Sequence, residues 1–125
     1  MAGRSEITVN ELSGAFKNHE TADTIDKTND HVIPDAWQYR RLLLSFELTA
    51  ATADDSITIK AGDGEPAFRR SLGDLVFEAE GGDPGAERVV VGPIESARYL
   101  QSDGSILIDV AGDTIAGTID AYALP

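Results

Sequence analysis

The residues able to do chemistry are few, and their spacing discourages most of it. His19 and His31 lie in a polar stretch with Glu20, Asp23, Asp30 and Asp35 close by in sequence. Imidazole nitrogens and carboxylate oxygens are metal donors, but these spacings match neither zinc patterns nor an EF-hand loop. A solvated polar segment is the expectation there. Asp54-Asp55 and Asp63-Gly64-Glu65 put carboxylates at loop ends where a weakly held Ca²⁺ would gather, without a full ligand set in sequence. The chain has no cysteine, which excludes a thiolate nucleophile, a thiolate metal site and a disulfide scaffold. Ser13, Ser96 and Ser105 stand in turn-like contexts rather than on a strand-to-helix nucleophile elbow. Paired carboxylates for glycoside hydrolysis are present in any acidic chain and discriminate nothing. Gly62-Asp63-Gly64 is too short and too acidic to cradle phosphate. Aromatic residues make up 6% of the chain, thin for a sugar-stacking platform. No enzyme activity and no cofactor are expected.

Arginine is the residue type that stands out. Arg40-Arg41 and Arg69-Arg70 are adjacent pairs in a chain with 10 basic and 22 acidic residues. Neighbours on a strand point to opposite faces, so one arginine of each pair is directed toward other protein. A guanidinium fork fits a carboxylate in bidentate fashion, within the chain or across an interface. Trp37, the single tryptophan, reads first as a plug at one end of the core. With Phe16 on the polar stretch, it joins Arg40, Arg41, Arg69 and Arg70 as a candidate interface residue.

The formal net charge is −12. A field of that sign repels phosphates and anionic bilayers, so neither nucleic acid nor membrane is an expected partner. No apolar run is long enough to span a bilayer, and the opening residues 1–13 carry one Arg and no apolar core, unlike a secretory leader. The chain is expected to be soluble. Lysine occurs only at Lys17, Lys27 and Lys60, and Asp outnumbers Glu. Either this is a solvated surface that keeps a small domain in solution, or an adaptation to molar salt, where a Debye length of about 3 Å screens self-repulsion. The usage resembles that of proteins from salt-in haloarchaea and their viruses.

These side chains must be positioned by strands. At 125 residues the chain is one domain by size, burying roughly two-thirds of its unfolded surface. Residues 1–38 are expected to form an extended N-terminal arm: a short strand at 6–9, a weak apolar pattern at Leu12, Ala15 and Phe16, then a Thr/Asp/Asn tract with little to bury. Pro34 and Asp35 end it. From residue 39 the period is two. Leu42, Leu44, Phe46 and Leu48 fall on one face of a strand over 39–49. Further strands are expected at 56–60 with Ile57 and Ile59 inward, at 75–80, at 88–92 stopping before Pro93, at 97–101, at 106–110 with Ile106, Ile108 and Val110 inward, and at 114–124. Turn signals such as Gly62-Asp63-Gly64, Gly81-Gly82-Asp83-Pro84-Gly85, Asp103-Gly104 and Gly112-Asp113 recur about every 8 to 12 residues, the spacing of a sandwich or small barrel. The fold class is all-β: an antiparallel β-sandwich of jelly-roll type over 39–125, with the arm over 1–38.

The order of features carries a resemblance. A Thr/Asp-rich arm leads through His31-Val32-Ile33-Pro34-Asp35 into a Leu-rich strand. An Ile-Thr-Ile strand, a Gly/Asp/Pro loop, Val89-Val90-Val91-Gly92-Pro93-Ile94, Arg98-Tyr99-Leu100-Gln101, Asp103-Gly104 and a closing Tyr122-Ala123-Leu124 follow. Over residues 20–125 this resembles the small β-sandwich head proteins of tailed viruses. The resemblance implies a virion structural protein that decorates or cements the capsid surface, with the major capsid protein as partner, bound as a homotrimer near three-fold positions. A head–tail connector or tail component is the neighbouring reading. A carbohydrate- or Ca²⁺-binding module of a halophile surface protein is the alternative from another class.

Overall fold

The structure, a computed structural model, describes residues 3–52, 54–62, 73–79 and 87–125. Among these, ten strands form: β1 (Ser5–Glu6), β2 (Val9–Glu11), β3 (Asp23–Thr24), β4 (His31–Ile33), β5 (Arg41–Ala50), β6 (Ser56–Ile59), β7 (Leu75–Glu78), β8 (Glu87–Glu95), β9 (Ile106–Ala111) and β10 (Ala116–Ala123). The helical elements are single 3₁₀ turns at Ala36–Gln38 and Ser96–Arg98. One sheet runs β1-β4-β9-β6-β7, the other β2-β10-β5-β8, with β3 also paired to β10.

The all-β sandwich is as expected, and its path is simple. Four antiparallel pairs nest inside one another: β6 with β7, β5 with β8, β4 with β9 and β3 with β10. The chain is thus one long hairpin with its tip between β6 and β7. Rolling that hairpin brings β9 against β6 and β10 against β5. Between β3 and β10, only the β6–β7 connection stays within a sheet, which is the wrapping of a jelly roll.

Alternation decides which side chains fill the space between the sheets. On β5 the buried residues are Leu42, Leu44, Phe46 and Leu48; on β9 they are Ile106, Ile108 and Val110. Each such side chain contributes about 1.5–3 kcal/mol by leaving water. Ile57 and Ile59 of β6 and Ile119 and Ala121 of β10 complete the layer.

Three expectations need correction. First, β8 does not stop at Pro93 but continues to Glu95 through a cis Gly92-Pro93 bond. The register with β5 jumps from Leu42↔Ile94 to Leu44↔Val91, so Gly92 and Pro93 together oppose Leu43 in a bulge. β8 is an edge strand, where a proline need not donate to a ladder. Gly92 has φ 121, and a Cβ there would lie 2.8 Å from the Leu42 carbonyl oxygen. Second, residues 97–101 are not a strand: the 3₁₀ turn Ser96–Arg98 takes their place and inserts Tyr99, 1% exposed, into the core. Third, the N-terminal stretch is extended as expected but lies on this chain's own sheets. β1 pairs in parallel with β4, β2 in parallel with β10, and β3 antiparallel with β10. Ile7, Ile25 and Ile33 of this stretch are buried, whereas Leu12 and Phe16 are exposed, and pairing covers two sheet edges. The longest exposed run in this stretch is residues 11–21.

Candidate interaction surface

Arg40 and Arg41 stand at one end of the sandwich, where β5 begins and β8 and β10 finish. Local sequence explains how they are held. Asp35 adopts φ 50, a left-handed conformation that Asp tolerates better than most residues, and turns the chain into the 3₁₀ turn. Ala36 is buried beneath it. Ser96, itself 4% exposed, fastens the next residues: its Oγ–H is shared between the carbonyls of Tyr39 and Arg40, and its N–H donates to the Arg40 carbonyl at 3.0 Å. The backbone of Tyr39 and Arg40 is therefore pinned from inside, and both arginine side chains are exposed.

Trp37 is not a core plug. It is 65% exposed, because the 3₁₀ turn buries Ala36 and turns the indole outward. Its backbone N–H donates to the Gly104 carbonyl at 3.2 Å, and its ring lies against Gly104, where a Cβ would come within 2.7 Å of Cδ1. The Asp103-Gly104 hairpin is shaped for this: Asp103 accepts from Ser105 N–H and Oγ–H at 3.0 and 2.6 Å, which holds its carboxyl below the usual carboxylate range.

Two grooves flank Tyr39, Arg40 and Arg41. One, of about 450 Å³, is walled by Leu12, Gln38, Leu124 and Pro125, with Glu11 at its edge. The other, of about 360 Å³, is walled by Trp37, Ala97 and Leu100, with Glu95. The Tyr39 phenol is pushed above its ordinary value, first by burial and then by Glu11 and Asp35. A third hollow of about 330 Å³ lies beyond Glu95, against Pro93 and Arg98. The Arg98 guanidinium sits 5.0 Å from the centre of the Tyr99 ring, and its Nε is buried with no hydrogen-bond partner among the described residues.

The charge pattern separates this end from the rest. Arg4 pairs with Asp109 at 2.6 Å, Arg88 with Glu47 at 3.0 Å, and Lys60 with Asp74 at 3.5 Å; Lys27 donates to the Asp113 carbonyl. Among the described residues, Arg40, Arg41 and Arg98 make no ion pair within 4.0 Å. Of the sequence candidates, then, Trp37, Arg40 and Arg41 come together. Phe16 is fully exposed on the 11–21 segment, which leaves the rim of the larger groove at Leu12. That segment returns where Glu20 N–H donates to Asn10 Oδ1 at 2.9 Å and His19 Nε2 meets the Tyr122 hydroxyl at 2.8 Å. Arg69 and Arg70 lie outside the described residues, as do Asp63-Gly64-Glu65. Arg98 was not singled out from sequence, although an Arg beside a Tyr is a signal for a stacked guanidinium.

The histidines also divide. His19 is partly exposed, as expected of a polar stretch. His31 is not solvated but wholly buried. Its Nε2 accepts the Asp26 N–H at 2.8 Å, while Nδ1 has no hydrogen bond among the described residues. Burial pushes its pKa down, against the opposing pull of Asp26, Asp23 and Asp30. Among the described residues no group of three His, Cys, Asp or Glu is arranged to hold a metal ion, and no helix is long and apolar enough to cross a membrane. Comparison with protein-family models, with curated proteins and with solved structures finds no match to this chain.

Proposed function

We propose that this chain is a non-enzymatic structural protein of a virion, a decoration or cementing protein that docks on the major capsid protein at the head surface. The observation that carries the reading is the end of the jelly roll at Trp37, Arg40 and Arg41. A large aromatic is held two-thirds exposed beside two arginines that make no ion pair among the described residues, on a backbone pinned by a buried serine. Protein interfaces are enriched in Trp, Tyr and Arg, and those residues dominate their energetics. The exposed 11–21 segment with Phe16 is a second contact beside the same end. The sequence resemblance to head proteins of tailed viruses selects the capsid as the surface and the trimer as the bound form.

Imaging of intact particles tests the reading: density for this chain is expected on the outer face of the shell. Density confined to a connector or tail would move it to the neighbouring station, and absence from the particle would overturn it. Thermal melting separately tests the high-salt setting. Molar KCl is expected to raise the midpoint relative to dilute buffer, because screening relieves like-charge repulsion.

A further inference from the structure

We infer that the end carrying Arg40 and Arg41 takes an extended, carboxylate-rich segment of a partner protein. This rests on the docking reading above and adds the chemistry of what docks. The acidity of the surface is relieved locally: Arg40, Arg41 and Arg98 stand with Glu11, Glu95 and Asp35 around Tyr39 and the three hollows, a balance of 3 − 3 = 0 in a molecule of net −12. Arg4, Arg88, Lys60 and Lys27 are occupied by carboxylates or a carbonyl; among the described residues Arg40, Arg41 and Arg98, like Lys17 on the exposed 11–21 segment, are not. Arginine forks without partners are stabilised by carboxylates or phosphates, which accept two N–H bonds at once.

The shape selects the form of the ligand. Two grooves run either side of one ridge, each wide enough for a few side chains and walled by Trp37 on one side and by Leu12 and Leu124 on the other. An extended polypeptide sets alternate side chains on opposite sides of its backbone, so acidic side chains reach the arginines while the intervening ones lie along the apolar walls. Arg98 lines the third hollow and adds a third cation beside this end. A long polyanion such as duplex nucleic acid must also run over the acidic faces, whereas a short segment stays within the grooves.

Trp37 makes the site its own reporter, since the chain has one tryptophan and it forms a groove wall. The experiment titrates the full chain with a synthetic hexaglutamate peptide in dilute buffer and follows Trp37 emission. A saturable change that weakens with added salt is expected. R40A/R41A is expected to weaken binding by about tenfold or more, the loss of two charge-assisted contacts. R40K/R41K is expected to fall between, because lysine keeps the charge and lacks the fork. R88A, whose guanidinium pairs with Glu47 on a sheet face, is expected to leave binding unchanged. Circular dichroism verifies that each variant is folded.

The inference is overturned if the wild-type chain shows no saturable change, or if R40A/R41A binds as well as wild type. It is also overturned if oligo-dT binds as tightly through the same arginines, which would make this a phosphate site. A Trp37 change on diluting the protein alone would assign the surface to a second copy instead. The two proposals fail separately. Chain density on the capsid without hexaglutamate binding removes only the acidic segment, and hexaglutamate binding by a chain absent from the particle removes only the capsid.

Discussion

The junction of β1 with β4 and the end at Arg40 use the same kinds of residue in opposite ways. At the junction, Asp26 accepts from Ser5 Oγ–H at 2.5 Å, from the N–H groups of Thr28 and Asn29, and from Asn29 Nδ2–H; these bonds hold its carboxyl down to about 2. Asp30 Oδ1 accepts the Val110 N–H at 2.8 Å. Arg4 Nη1 reaches Asp109 at 2.6 Å and the His31 carbonyl at 3.1 Å. Apart from the buried His31 Nδ1, for which no hydrogen bond is seen among the described residues, the polar groups named there are answered from within the chain. At the other end the backbone is answered, and the side chains of Arg40 and Arg41 have no ion pair among the described residues. Buried polar groups require partners and exposed ones do not, so the junction reads as structure and the arginine end as surface kept for something else.

The largest effect that would break this comparison concerns one aromatic and one aliphatic residue. Ile33, fully buried at the end of β4, is expected to cost about 2–5 kcal/mol when cut to alanine. Trp37→Ala, although it removes a far larger side chain, is expected to cost less than about 1 kcal/mol, because most of the indole is already in water. Chemical denaturation of both variants checks this. A Trp37 variant as unstable as the Ile33 variant would make the indole a core residue and remove the main support for docking.

Acid sharpens the contrast next. In the folded chain His31 Nε2 must be unprotonated to accept the Asp26 N–H, and burial depresses its pKa below 6.5. The unfolded chain therefore binds more protons as pH falls below about 6.5, and the stability that neutral His31 confers is present above that value and lost through the window beneath it. The slope approaches at most about 1.4 kcal/mol per pH unit for one proton. Asp26 adds a second loss between about pH 4 and 2, as its hydrogen-bonded carboxylate is protonated. Stability measured against pH should show both steps, and His31→Gln should lack the first. A His31→Gln profile identical to wild type would place the acid sensitivity elsewhere.

How much of this was readable from the sequence follows from range. Alternation is local, so Leu42, Leu44, Phe46 and Leu48 and the triplet Ile106, Ile108 and Val110 announced their faces before any partner was known. The β8 bulge was not readable, because whether Pro93 ends a strand depends on its being at a sheet edge, a property of the whole topology. His31 was misread for the same reason: its composition is that of a loop, and only pairing with Ile108, 77 residues onward (108 − 31), buries it. Of the candidate site, the scarcity of arginine pointed to Arg40 and Arg41. That Trp37 shares their surface required the 3₁₀ turn at Ala36–Gln38, and Arg98 required the turn at Ser96–Arg98 that replaces an expected strand.

The smallest effect tests the arginines against one another. Arg4 is partly buried, with its guanidinium shared between a carboxylate and a backbone carbonyl, and Arg4→Ala leaves the His31 carbonyl and Asp109 short of a donor. That loss is expected to cost about 1 kcal/mol, the net worth of a charge-assisted bond in a half-shielded position. Arg40→Ala and Arg41→Ala remove cations that balance nothing within 4.0 Å among the described residues, so each is expected within about 0.5 kcal/mol of wild type. In a molecule of net −12, any loss of positive charge adds some repulsion, so the comparison is made in molar KCl, where that common term is screened. If Arg40→Ala or Arg41→Ala destabilises as much as Arg4→Ala under those conditions, its guanidinium is holding the fold together and is not free to hold a partner.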